Sequence, residues 1–139
     1  MTFIKLPARL ESLEELIHFV TAFATKQGLA QKSIQEIRLV IEESLVNIFS
    51  YAYPDSRGDV ELSCKLQKDR RLVVEIVDAG VPFDIRSTAD PDLSAGISER
   101  KLGGLGIFII RKMVHELQYR REKEKNILTL TFQKTAHRQ

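Results

Sequence analysis

Two pairs of strand-like runs, each joined by only a few residues, constrain this 139-residue chain more than any other feature. Asp59 to Gln67 and Arg71 to Asp78 are separated by the turn-prone Lys68-Asp69-Arg70, and the second run reads Arg-Leu-Val-Val-Glu-Ile-Val-Asp. Leu117 to Arg121 and Asn126 to Gln133 repeat the arrangement near the other end. Parallel neighbours need a crossover of a dozen or more residues, so both pairs are antiparallel. Thr2 to Leu6, with Phe3, Ile4 and Leu6 before Pro7, adds a short run that suits a sheet edge, because proline cannot donate to a ladder.

Helical periodicity fills the remainder. Leu10, Leu13, Leu16, Ile17, Val20 and Phe23 recur at three- and four-residue steps within Leu10 to Gln27, stopping near Gly28. Ile34, Ile37, Ile41, Leu45, Ile48 and Ala52 mark a longer helix from Gln31 to Tyr53, ended by Pro54. A third helical pattern spans Ile107 to Glu116. Ala79 to Leu102 has no sustained period and reads as a long loop, and loops of that length are usually functional lids or disordered. Lys134 to Gln139 reads as a fraying tail. The expected fold is therefore α+β: a two-layer sandwich in which three helices cover one face of a mostly antiparallel, mixed sheet. One domain, residues 1–139, is the natural reading of this length.

Charge and cysteine content exclude several classes. With 21 basic and 19 acidic residues the net charge is +2, too small to attract nucleic acid or a membrane surface by bulk field. A single cysteine, Cys64, cannot form an internal disulfide. The N-terminus lacks a signal-peptide pattern and no apolar run is long enough to cross a bilayer, so a cytoplasmic protein is expected. His18, His115 and His137 are isolated, and Arg120 to Lys125 mixes charge signs as a solvated turn does.

Three polar constellations remain. Glu36, Glu43, Asn47 and Ser50 share one stripe of the long helix, while Leu39, Val40, Val46 and Phe49 make its other sides apolar. The stripe fits either a solvated face or a groove. Asp78 closes an apolar strand and precedes Ala79-Gly80-Val81-Pro82-Phe83-Asp84. A carboxylate there can hold an exocyclic amine while Gly80 lets a flat ring approach, or the segment is only a turn. Gly103-Gly104-Leu105-Gly106 opens into the third helix, where free amides and the positive helix end suit phosphate, or where the run is a hinge. Together they supply a magnesium ligand and base, a base-reading carboxylate and a phosphate cradle.

In this combination the chain resembles the GHKL (Bergerat-fold) ATPases, and within them the anti-sigma factor and serine-protein kinase family, from about Leu6 to Gln133. Glu43-Ser-Leu-Val-Asn47 with Tyr51-Ala-Tyr53 is similar to that family's N box, Asp78 to Asp84 to its G1 box, and Gly103 to Gly106 to its G2 box. Residues 84–102 match its ATP lid. The resemblance implies Glu43 as general base, Asn47 as Mg²⁺ ligand, Asp78 as acceptor for the adenine amine with Gly80 beneath the ring, and Phe83 within the nucleotide site. It implies Gly103, Gly104, Leu105 and Gly106 around the phosphates; Arg100 and Lys101, just before the glycines, are placed to add positive charge at the γ-phosphate. Two departures stand out: Leu102 precedes the glycines where some relatives have a basic residue, and Lys125-Asn126-Ile127 replaces a common Gly-Thr turn. The resemblance further implies ATP and Mg²⁺ as cofactors, phosphorylation of an anti-anti-sigma STAS-domain protein, binding of a sigma factor, and a homodimer. A nucleotide-sensing docking module without phosphoryl transfer is the competing expectation.

Overall fold

The computed structural model describes residues 2–53, 55, 57–68, 70–87 and 104–133, with backbone alone at Gly104 and Leu105. In chain order the elements are β1 (Thr2–Pro7), α1 (Leu13–Lys26), α2 (Gln31–Asn47), β2 (Asp59–Leu66), β3 (Arg71–Asp78), α3 (Gly104–Met113), β4 (Glu116–Glu122) and β5 (Lys125–Gln133). The strands form one sheet in the order β1-β2-β3-β5-β4. All four ladders are antiparallel, so the sheet is more uniform than the mixed one expected. β1 lies at an edge and ends at Pro7, where a missing donor costs least.

Alternation along the strands sets the layers. Val60, Leu62 and Cys64 of β2 face the same side as Leu72, Val74 and Ile76 of β3 and Leu128, Leu130 and Phe132 of β5, and all nine are buried. Against them pack Leu16, Ile17 and Val20 of α1, Ile37, Ile41 and Leu45 of α2, and Ile107 and Ile110 of α3. Each such side chain contributes about 1.5–3 kcal/mol on leaving water. Burial also pushes the Cys64 thiol up to about 12, so it packs as a small apolar group. The result is the two-layer sandwich expected. No helix among the described residues is long and apolar enough to cross a membrane.

The helix ends differ from expectation in ways that shape the site. The first helix opens with a 3-10 turn at Leu10–Ser12 before α1. α2 stops being α-helical at Asn47, and Ile48–Ala52 forms a wider, π-helical turn instead of a continuation to Tyr53. α3 begins at Gly104, not Ile107, and ends at Met113, not Glu116. Glycine's low helix propensity suggests a later start, but the packing of Gly106 against α2 overrides it. The early end follows from His115, whose N–H already donates to Thr131 O of β5 at 2.8 Å. Within the segment read as a loop, Ile85–Ser87 is a 3-10 turn; residues 88–102, Pro54 and the 134–139 tail lie outside the described residues.

Candidate functional site

α2 packs against both α1 and α3, and its contact with α3 brings Glu43 and Asn47, one helical turn apart, onto Gly106. A Cβ at Gly106 would stand 2.8 Å from Glu43 Oε2 and 2.9 Å from Asn47 Nδ2. Only glycine admits that approach. Asn47 is buried, and its Nδ2 donates to Glu43 O at 2.7 Å. Because the amide is planar, its oxygen points away from that carbonyl. Burial first, and the neighbouring charge of Glu42 second, hold the Glu43 carboxyl above the usual carboxylate range. The first-turn amides of α3 lack intrahelical partners and give this end of the helix a positive potential.

Asp78, the last residue of β3, is buried opposite Val60 and Asn126. Its Oδ1 accepts from Gly80 N at 2.9 Å and from Asn126 Nδ2 at 2.8 Å. Burial raises its proton affinity, while those two donors and the Arg121 charge oppose the rise. Gly80 lies against the end of the wide turn, where an added Cβ would fall on the Ala52 carbonyl oxygen. That carbonyl, one of those a helix end leaves without an intrahelical partner, accepts from Val81 N at 2.9 Å. Tyr53 Oη accepts from Ala79 N at 2.7 Å and donates to Asp59 O at 2.8 Å, fixing the exit from β3 to the entry of β2. The Phe83 ring stacks on Tyr51 with centroids 5.1 Å apart. An open groove of about 650 Å³ follows the same loop between Tyr53 and Pro82.

The structure thus brings Glu43, Asn47 and Gly106 together at one end, and Asp78, Gly80 and Phe83 at the other, joined by residues 43–52 of α2 and its wide turn. Gly104 and Leu105 form the first turn of α3. Arg100, Lys101 and Gly103 lie outside the described residues. Glu36 is half-buried and Ser50 exposed, so the polar stripe of α2 is not uniformly covered.

Sequence reasoning did not single out three further residues. Asn126 Nδ2 also donates to Val81 O at 2.9 Å, and its Oδ1 accepts from Phe83 N at 3.2 Å, Tyr119 Oη at 2.6 Å and Arg121 Nη1 at 3.2 Å. Arg121 also donates to Gly80 O at 2.8 Å. A signal for Asn126 existed. The alternation Asn126, Leu128, Leu130, Phe132 puts a polar side chain on the core face of a strand, where it must find partners.

Comparison with known proteins agrees with this architecture. Residues 6–132 match the family described as "Histidine kinase-like ATPase domain". The serine-protein kinase RsbW of Bacillus cereus is 27% identical over 129 residues, covering 90% of this chain and 80% of that protein. Among solved structures, the SiaB-SiaC complex of Pseudomonas aeruginosa superposes with a TM-score of 0.67 at 20% identity, covering 95% of this chain and 89% of that one. The RsbU and RsbW domains of a Mycobacterium tuberculosis protein give 0.63 at 14% identity, covering 99% and 34%. The fold and the family expected from the three motifs are both borne out: the chain belongs to the histidine kinase-like (GHKL) ATPase domain family, whose members use ATP.

Proposed function

We propose that this chain is a cytoplasmic protein serine/threonine kinase of the anti-sigma type, which binds a sigma factor and phosphorylates an anti-anti-sigma STAS-domain protein from ATP. The observation that carries the reading is the cradle at Gly106, where the missing Cβ leaves α3 against Glu43 and Asn47. A kinase named for serine at 27% identity supports the acceptor class, and a neighbour solved as a two-protein complex supports a protein partner.

In this reading Asp78 accepts the adenine amine and the ring lies near Gly80 and Phe83, while the side chain that Gly80 lacks leaves room for the Ala52 carbonyl. The first-turn amides of α3, with Gly103, Gly104, Leu105 and Gly106, take the phosphates, and Arg100 and Lys101 add positive charge. Asn47 offers its side-chain oxygen as a ligand for Mg²⁺. Mg²⁺, when bound, neutralises phosphate charge and aligns the transferred group. Glu43 takes the proton from the acceptor hydroxyl as its oxygen bonds to the γ-phosphorus and ADP leaves. Burial suits it to the task, since a carboxylate with a raised pKa is a stronger base than one on the surface. Residues 84–102 act as the lid, and a homodimer is the working assembly.

Incubation with labelled ATP, Mg²⁺ and the STAS protein encoded nearest to it tests the reading. Wild type transfers label, and Glu43→Ala loses transfer by at least about 100-fold while still binding ADP. ATP binding without transfer in the wild type would overturn the kinase and leave a nucleotide-sensing docking module.

A further inference from the structure

The Asn126 network is larger than a strand end requires. Its side chain spends both amide donors and its oxygen on three parts of the fold: Asp78 of β3, the Val81–Phe83 segment, and Tyr119 and Arg121 of β4. Asn126 and Asp78 are each only 3% exposed. Both donors to the Asp78 carboxylate, Gly80 N and Asn126 Nδ2, end on Oδ1. That fixes the carboxylate's rotation, and with it the direction of Oδ2.

We propose that Asn126, braced by Tyr119 and Arg121, is the positioning residue that sets base selectivity by holding Asp78 as an oriented, acceptor-only carboxylate. The proposal rests on the reading of Asp78 as the group that meets the base. A carboxylate oxygen held this way accepts from the amino group of adenine and repels the O6 acceptor that guanine carries at the same ring position. Freed from the Asn126 amide, the carboxyl rotates and the loop from Val81 to Phe83 loses two anchors, so the acceptor no longer discriminates between the two purines.

The test is the ratio of ADP to GDP affinity, measured by calorimetry and competition on the full chain, in wild type and in Asn126→Leu, which keeps volume but removes every polar atom. Loss of one hydrogen bond to a charged group lowers ADP affinity about tenfold. GDP affinity does not fall, because the oxygen that repels O6 is no longer held against it. A purely structural role weakens both nucleotides alike, and that result, or an unchanged ratio, overturns the proposal. Should Asn126→Leu fail to fold, Tyr119→Phe removes only the 2.6 Å hydroxyl donation to Asn126 Oδ1, and the ratio falls about threefold. An unchanged ratio in a folded Tyr119→Phe then overturns it. Asp78→Asn separates the layers of the argument. It keeps an oxygen for Gly80 N and Asn126 Nδ2 while turning an amine donor toward the base. Unaltered ADP binding there defeats the role of Asp78 itself, and the Asn126 proposal with it. Loss in Asp78→Asn with no change of ratio in Asn126→Leu defeats the Asn126 proposal alone.

Discussion

Gly106→Ala should separate stability from chemistry. On helix propensity alone, alanine in the first turn of α3 gains up to about 1 kcal/mol over glycine. Its methyl carbon, however, would stand 2.8 Å from Glu43 Oε2 and 2.9 Å from Asn47 Nδ2. Non-bonded contacts are comfortable at about 3.5 Å, so each group must retreat by roughly 0.6 Å. Glu43 is half-buried and swings aside at small cost. Asn47 is buried and held to Glu43 O at 2.7 Å, so displacing it costs about 1 kcal/mol, close to what the helix gains. The melting temperature therefore stays within about 4 °C of wild type. Phosphoryl transfer does not. A misplacement of 1 Å costs about 100-fold, so a shift of this size lowers kcat by roughly 10- to 100-fold. Thermal unfolding followed by single-turnover transfer to the STAS protein measures both. A variant that folds as wild type and transfers within twofold of its rate would refute the placement of Glu43 and Asn47 around the reacting group.

Ser44→Ala should stabilise the domain by about 0.5–1 kcal/mol, read from denaturant midpoints, because Ser44 Oγ is buried without a hydrogen-bond partner among the described residues and alanine is the better helix former; a lower midpoint would mean that the hydroxyl is bonded after all. Glu43 predicts a pH dependence of stability: its folded pKa is raised, so its contribution is fully present below the ordinary carboxylate value and is lost as pH rises through the folded pKa. Glu43→Gln removes that loss, so its melting temperature relative to wild type is higher at pH 7 than at pH 4, and a constant difference across that range would sink the assignment.

Much of the sheet was legible because turn length leaves little choice. The three residues Lys68 to Arg70 allow only an antiparallel return, and the inward set of β3, Leu72, Val74 and Ile76, is the one out of phase with Arg71 and Glu75. The stripe Ile34, Ile37, Ile41 and Leu45 located the buried side of α2 equally well. What the sequence did not disclose are features fixed by long-range contact. Nothing in Ile48 to Ala52 marks a wide turn, because that turn is coupled to Gly80, which must sit on the Ala52 carbonyl, and to Val81 N, which bonds it. Gly104 and Gly106 looked like residues before a helix, yet they belong to its first turn, where amides need no partner and α2 needs room. Asn126 lay within a noted departure from the family pattern, but its work depends on the β3–β5 register that sets it opposite Asp78, and no local pattern supplies that register.

The two carboxylates of the site are buried in different ways, and the difference matches the roles proposed for them. Burial alone raises the proton affinity of both. At Asp78 two donors and the Arg121 charge push back, which favours the ionised, acceptor-only form that base recognition needs. At Glu43 no hydrogen bond to the carboxylate is made among the described residues, and the charge of Glu42 adds to the effect of burial. Each donor aimed at Glu43 would lower its pKa and blunt it as a base, so leaving it to packing preserves its appetite for a proton. Environments that treat two acids so differently are how one pocket assigns recognition to one and proton transfer to the other. On the proposed reading, the base end is therefore tied by Asn126, Tyr53 and the Ala52 carbonyl, and the described part of the phosphate end rests on a bare glycine against the two side chains of Glu43 and Asn47.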